Sequence, residues 1–321
     1  MVNVGIIGMA GIAGAHLGGY DRCADAQVVA CCDIDIEKAR KREEQDARAY
    51  QDYRDLLADP AVDAVSICLP TFLHAEVTVA ALGAGKHVLC EKPMALNVAE
   101  CDRMLAAADA AGRVLMVAHC IRFWPEYQAL QAIVEGGAYG AVQSAVFIRL
   151  GGLPAWSAGG WMRDPARSGG AILDLHIHDA DYVAYLFGLP RSVRARGVET
   201  EFGINDLRVE YDYGDGRMIA AESAWYPSEH YPFQAAFRVA LERAVVQLAG
   251  GKPLTVYPTV MPPFEPALPP GDGYANEVAD FIRCIVRGVQ PEIAPARASR
   301  DSVRLIEAEA ASVRTGEAVA L

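Results

Sequence analysis

"VNVGIIGMAGIAGAHL", residues 2–17, sets a short β-branched apolar run directly before a glycine-rich turn and a helix-forming stretch. Val2, Val4, Ile6 and Ile7 suit a buried strand, and Gly8 breaks it. In a dinucleotide-binding unit the pattern G-x-G-x-x-G/A occupies this junction. Backbone N–H groups and the helix N-terminus then meet a pyrophosphate. Aligned on Gly8, the pattern reads Gly8, Ala10, Ala13, with Gly11 and Ile12 between the last two. The third position tolerates Ala. Ala10 adds a methyl at the close-approach position, while Gly11 and Gly14 offer flexibility one residue later.

Outward from that loop, "QVVACCD" (27–33) reads as a second strand ending in an acid. The Asp33 carboxylate suits the adenosine ribose hydroxyls and repels a 2′-phosphate, and no Arg adjoins it. The cofactor expected is therefore NAD in preference to NADP. The alternative role for Asp33 is a cap for the helix that begins near Asp35. Strand-like runs at 62–70, 86–93 and 113–120 alternate with helical stretches at 34–46, 74–85 and 97–112, the last capped by Asn97 and ended by Gly112. Continuous apolar strands between helices predict a parallel sheet buried on both faces.

After about Arg122 the rhythm changes. A helix at 125–137 leads into "AVQSAVFIRL" (141–150), a Gly-rich loop at 151–170, and then alternating runs at 192–199, 206–214, 216–226 and 237–249. "YGDG" (213–216) reads as a hairpin turn and the Pro-rich 257–273 as a surface loop. Helices at roughly 273–287 and 297–313 finish the chain. The fold class expected is α/β, with a Rossmann domain at 1–121 and an α+β domain with a mostly antiparallel open sheet at 122–321. The C-terminal helices are free to pack back on the first domain.

With 321 residues and 52% hydrophobic composition the chain has ample core for two domains. A net charge of −12 without any Lys or Arg block argues against nucleic acid or an anionic membrane as partner. The eight cysteines form no CxxC pair, and most lie in or beside apolar runs, which fits buried thiols in a reducing cytosol. The apolar start lacks the basic region of a signal peptide, so a cytoplasmic location is expected.

"GGAILDLHIHDAD" (169–181) packs two histidines and three carboxylates into an apolar run. Flanking glycines and Pro190 favour a helix, on which Asp174, His178 and Asp181 share a face and His176 points away. That offers a base with an orienting acid. On a strand, Asp174, His176 and His178 would instead share a face as metal ligands; the helical stop signals argue against this, and no metal is expected. Asp179 and Asp181 read as structural, and His176 either as a packing residue or as a substrate contact.

"AGKHVLCEKP" (84–93), together with the opening loop, "DYRDLLADPAVDAVSICLPTFLHAEV" (52–77) and the 169–181 segment, resembles the glucose–fructose oxidoreductase/inositol dehydrogenase/MocA family. The resemblance implies sugar or cyclitol oxidoreduction with NAD(P), a catalytic lysine at Lys92 within Glu91-Lys92-Pro93, and an acid–histidine pair at Asp174 and His178. It also implies a C-terminal sheet that often forms the subunit interface. His176 departs from the small residue, often Gly, common at its position, and Ala10 from the usual second glycine. Pro70, Thr71 and His74, after the third strand, and Glu91 beside Lys92 are expected at the cofactor. Trp156, Trp161, Arg163 and Arg122 are candidate sugar contacts, with loop anchoring as the alternative for the tryptophans. Tyr127 and His119 are candidates near the domain junction. A homodimer or homotetramer through the second sheet is expected, because its runs carry more apolar residues than the helices cover. The competing functions are a cofactor-binding regulator without turnover and a reductase or lyase acting on a non-alcohol substrate.

Overall fold

The computed structural model describes residues 1–43, 46–155 and 157–321. The chain divides into two compact units. One comprises Met1–Trp124 with Gly271–Asp301, the other Pro125–Pro270 with Ser302–Leu321.

The first unit runs β1 (Val2–Ile7), α1 (Ala13–Asp21), β2 (Ala26–Cys32), α2 (Ile36–Arg40), β3 (Arg48–Tyr50), α3 (Tyr53–Ala58), β4 (Ala64–Ile67), α4 (His74–Gly83), β5 (His87–Glu91), α5 (Val98–Ala111) and β6 (Leu115–Ala118). All its strand pairs are parallel, in the order β3-β2-β1-β4-β5-β6. β4 and β6 are buried along their whole length, as mainly apolar strands covered on both faces must be, and the one polar residue of β4, Ser66, is hydrogen-bonded. The strand order reverses between β1 and β4, which is where an open α/β sheet binds its ligand. α5 has the ends its sequence predicts: the Asn97 side chain accepts the Glu100 N–H, and Gly112 takes a left-handed φ of 61°. β3 was not expected. Three residues are too few to show a periodicity, and pairing with β2 is what makes them a strand.

The second unit runs α6 (Pro125–Gly136), β7 (Val142–Gly152), α7 (Pro165–Ser168), α8 (Gly170–Asp174), α9 (Ile177–Phe187), β8 (Ser192–Thr200), β9 (Gly203–Asp212), β10 (Met218–Tyr226), β11 (Gln234–Leu241), β12 (Ala244–Leu248) and β13 (Thr255–Pro258). α10 (Gly273–Arg287) follows as part of the first unit; α11 (Ala296–Thr315) passes from the first unit into the second, and β14 (Val319–Ala320) ends the chain. The second sheet has the order β13-β12-β11-β7-β10-β9-β8-β14 and is antiparallel except for the β7–β10 pair.

Two local expectations for this unit are corrected. The run at 237–249 is a hairpin of β11 and β12 turning at Glu242–Arg243, rather than one strand. The start of the Pro-rich stretch is edge strand β13, where a proline lacks a donor at little cost. Tyr127, Phe147, Tyr182 and Phe237 form the aromatic core, with Tyr127 edge-on to Tyr182 at 4.8 Å and to Phe237 at 5.1 Å.

No helix among the described residues is long and apolar enough to cross a membrane.

Candidate active site

Three loop ends of the first unit make up the candidate cofactor site. Gly8 has φ 93°, and a Cβ there would sit 2.4 Å from the Cys68 carbonyl oxygen, so only glycine lets the loop after β1 lie against the end of β4. The Gly8 N–H donates to Cys32 O. Gly11 has φ 51° with open space around its Cα, and Ala10 beside it is exposed. Ala10 therefore fits where it stands without left-handed backbone. Ile12 precedes α1, whose first turn holds no acidic residue and, among the described residues, no capping side chain. That leaves a positive helix end suited to a pyrophosphate.

The Asp33 carboxylate accepts the Met9 N–H at 2.8 Å through one oxygen and the Asp35 N–H at 2.9 Å through the other. Asp35 is itself the N-cap of α2. Asp33 thus ties the glycine loop to β2, and each oxygen retains a lone pair for a ribose hydroxyl.

Lys92 is half-buried immediately after β5. The Glu91 side chain, expected at the cofactor, instead turns inward at 6% exposure. Its Oε1 lies 2.9 Å from His16 Nε2, and its Oε2 accepts the Lys92 N–H at 3.1 Å. A carboxylate this deep needs a cationic or donor partner, and His16 on α1 provides it. His74 is likewise buried, at 1% exposure, with one ring nitrogen 2.8 Å from Pro93 O and the other 2.8 Å from Leu69 O. It braces the turn after β4 to the turn after β5 rather than presenting a face to a ligand. Burial pushes its pKa below the ordinary value. Thr71 is buried and Pro70 half-buried in the same turn. Arg122 is 3% exposed and donates to Ile293 O at 2.7 Å, so part of its guanidinium satisfies backbone. His119 is fully buried as well.

Burial pushes the His16 pKa down, but neighbouring Cys68 and Glu91 outweigh it and hold it well above the usual 6.5. Burial pushes Glu91 up, and His16 outweighs that to hold it below the usual 4.5. Stability from the raised histidine is complete below its unfolded value and lost as pH rises through the folded one. Stability from the lowered carboxylate is complete above its unfolded value and lost as pH falls. The pair's contribution is therefore expected to be largest between pH 4.5 and 6.5 and to decline above that window. Urea titrations of wild type and a His16→Leu/Glu91→Met variant across pH 4–9 check this; a stability difference that grows above pH 7 contradicts it.

In the second unit the 169–181 segment is helical but not one helix. α8 and α9 are separated at Leu175–His176, where the His176 N–H donates to Ala171 O, five residues back, at 2.8 Å. This wide turn adds a residue between α8 and α9. Asp174 is buried and His178 half-buried, while Asp181 is fully buried and accepts from Ser302 Oγ at 2.7 Å.

His176, at 0% exposure, has Nδ1 2.8 Å from Ser223 Oγ and Nε2 3.1 Å from Glu309 Oε2 and 3.3 Å from Tyr211 OH. It joins the α8–α9 turn to β9, β10 and α11 and is a packing residue, not a substrate contact. Asp179 is bound by Arg149 of β7 through two contacts of 2.8 and 3.2 Å, and Arg149 also donates to Tyr127 OH. Because the segment is not a strand, Asp174, His176 and His178 do not line up as the metal arrangement would need. Among the described residues no group of three His, Cys, Asp or Glu side chains could hold a metal ion.

In the loop before α7, Trp161 packs against the cluster formed by Leu153, Met162, Ala171, Leu175 and Trp225, and Arg163 donates to Pro154 O at 3.1 Å. Trp156 lies outside the described residues. Sequence reading missed His16, Arg149 and Glu309. Arg149, alone in the apolar run "AVFIRL", carried a usable signal, since a buried Arg demands a carboxylate.

Residues 2–119 match the model of an oxidoreductase family with an NAD-binding Rossmann fold, and residues 127–247 match the Gfo/Idh/MocA C-terminal domain. The chain belongs to the Gfo/Idh/MocA family of oxidoreductases. Its family relatives include a myo-inositol 2-dehydrogenase of Thermotoga maritima, 33% identical over 197 residues, which are 58% of this chain and 55% of that protein. An uncharacterized oxidoreductase of Rhizobium meliloti is 35% identical over 226 residues, 69% of this chain and 64% of its own length. The match thus spans less than two thirds of either relative. An aldose–aldose oxidoreductase from Caulobacter crescentus, solved with glycerol, superposes with a TM-score of 0.90 at 25% identity, over 100% of this chain and 99% of that one. The Gfo/Idh/MocA architecture is a Rossmann unit followed by a mostly antiparallel sheet, as in this chain.

Proposed function

We propose that this Gfo/Idh/MocA protein is an NAD-dependent dehydrogenase of a sugar or cyclitol hydroxyl. The observation that carries the reading is the loop at the sheet's switch point, closed by Asp33 on Met9, with Lys92 following β5 in the same sheet. Gly8, Ala10, Gly11, Ile12 and Ala13 would hold the pyrophosphate on the end of α1, and Asp33 the adenosine ribose. Bound NAD supplies the hydride acceptor. Lys92 would hydrogen-bond the reacting oxygen and stabilise its developing negative charge. His178, oriented by Asp174, would take the hydroxyl proton, since neutral imidazole titrates near working pH. The names of the relatives, an inositol dehydrogenase and an aldose oxidoreductase, support the polyol class. An absorbance screen of NAD and NADP against cyclitols, aldoses and sugar acids tests the reading; no reduction with any of them overturns it.

Asp33 is expected to make NAD bind more tightly than NADP, and Asp33→Ala to weaken NAD more than NADP. Because Asp33 also holds Met9, the variant should loosen the loop for both cofactors to a smaller degree. Fluorescence titration of both cofactors measures this, and tighter NADP binding to the wild type contradicts it.

The face of the second sheet opposite Phe147 and Phe237 carries half-exposed Val146, Ile148, Ala220, Ala236, Ala240 and Val245. Arg238, Glu222 and Arg208 lie on the same face, so it mixes apolar and charged side chains; such a face suits a partner, and a second copy of the chain supplies a self-complementary one. A homodimer or homotetramer is expected by light scattering at micromolar concentration, and Ile148→Lys should split it. A monomeric wild type rules the assembly out.

A further inference from the structure

Helix α1 and the end of β5 lie 75 residues apart in sequence at their point of contact, yet one buried chain of hydrogen bonds joins them. His16 lies in α1, the helix that the cofactor loop opens. Tyr20 OH is 2.7 Å from Ser66 Oγ, Ser66 Oγ is 3.2 Å from His16 Nδ1, and His16 Nε2 is 2.9 Å from Glu91 Oε1. The other Glu91 oxygen accepts the Lys92 N–H. One carboxylate therefore uses one oxygen on α1 and the other on the backbone of the lysine.

From these contacts we infer that His16 is a positioning residue for Lys92: it holds Glu91, and Glu91 holds the Lys92 backbone. The inference rests on the assignment of Lys92 to the reacting oxygen. Tyr20, His16, Ser66 and Glu91 are all buried, so water does not substitute for a missing partner. A second carboxyl, Glu277 of α10, acts on the same pair. Burial, and then the Glu91 charge, push its pKa well above the usual carboxylate range, which favours its neutral form beside the pair. After His16, the Lys92 ammonium is the next charge that favours ionised Glu91. Without the imidazole, Glu91 is drawn to that ammonium, and the amine is turned away from substrate.

The test has two arms. In the cofactor-free protein, amide hydrogen exchange at Lys92 should rise roughly tenfold in His16→Gln and in the paired His16→Leu/Glu91→Met, with Val65 of β4 as the reference for global opening. The paired variant leaves no orphaned charge, so it keeps the arm informative where a single variant does not fold. Unchanged Lys92 exchange, relative to Val65, overturns the inference.

The second arm is a kinetic cycle on a cyclitol or aldose that the wild type oxidises. His16→Gln should cut kcat by about 10²-fold at saturating NAD, the cost of misplacing a reacting group by about 1 Å. NAD affinity should stay within about threefold, since the pyrophosphate loop keeps its own contacts. On a Lys92→Met background the same change should cost less than about twofold, because its route to the substrate is already gone. Equal losses on both backgrounds overturn the inference. If Lys92→Met turns over like wild type, the assignment of Lys92 is what fails, and the exchange arm alone decides whether His16 holds that backbone.

Discussion

Lys92→Ala and His178→Ala are each expected to cut turnover by about 10²–10⁴-fold while NAD still binds. Oxidising a hydroxyl requires its proton to leave as the hydride does, and the oxygen carries negative charge until that proton is gone. A lysine ammonium lowers the energy of that charge, and a histidine at neutral pH accepts the proton. The roles are exchangeable, because a desolvated lysine also serves as a base. Cofactor affinity should survive both changes. The adenosine half is assigned to Asp33 and the pyrophosphate to the loop from Gly8 to Ala13, and neither assignment uses the altered side chains. Single-turnover hydride transfer at saturating NAD separates chemistry from binding. Wild-type rates in either variant remove that residue from the proton pathway, and a rate loss that parallels lost NAD affinity assigns it to binding instead.

His176→Ala should do the opposite, costing stability of about 3–5 kcal/mol while the folded fraction turns over like wild type. The imidazole is fully buried and meets Ser223, Tyr211 and Glu309, all of which are buried with it. Burial pushes the Tyr211 pKa well up, and Glu309 pushes it in the same direction, so the phenol stays a neutral donor. Removing the ring leaves the Glu309 carboxyl without its imidazole partner in a site with no room for bulk water, and removes an acceptor or donor from two hydroxyls at once. Urea denaturation with activity normalised to folded protein checks this. A loss below about 1 kcal/mol, within the range of an ordinary hydrogen bond, contradicts it. So does a turnover loss as large as that of His178→Ala, which would return His176 to the substrate.

The local chemistry of the chain carries the Rossmann unit. An apolar run into Gly8, an acid closing the second strand, and Asn97 and Gly112 at the ends of α5 are each legible from neighbouring residues. The same holds for the antiparallel runs and the hairpin turn of the second unit. Strand propensity, caps and left-handed turns act over a few residues, so their signals sit next to the structure they cause. The candidate proton-transfer residues were legible as residue types in a pattern, Lys92 before a proline and Asp174 four residues before His178. Their surroundings were not. His16 meets Glu91 over a separation of 75 residues, and Arg149 meets Asp179 over 30. The three-residue β3 exists through its pairing with β2, and the extra residue at His176 divides a segment whose glycines and periodicity read as one helix. A buried polar side chain takes whichever partner the packed strands and helices bring within about 3 Å. Periodicity says that such a group points inward; the register of distant elements says what it meets there.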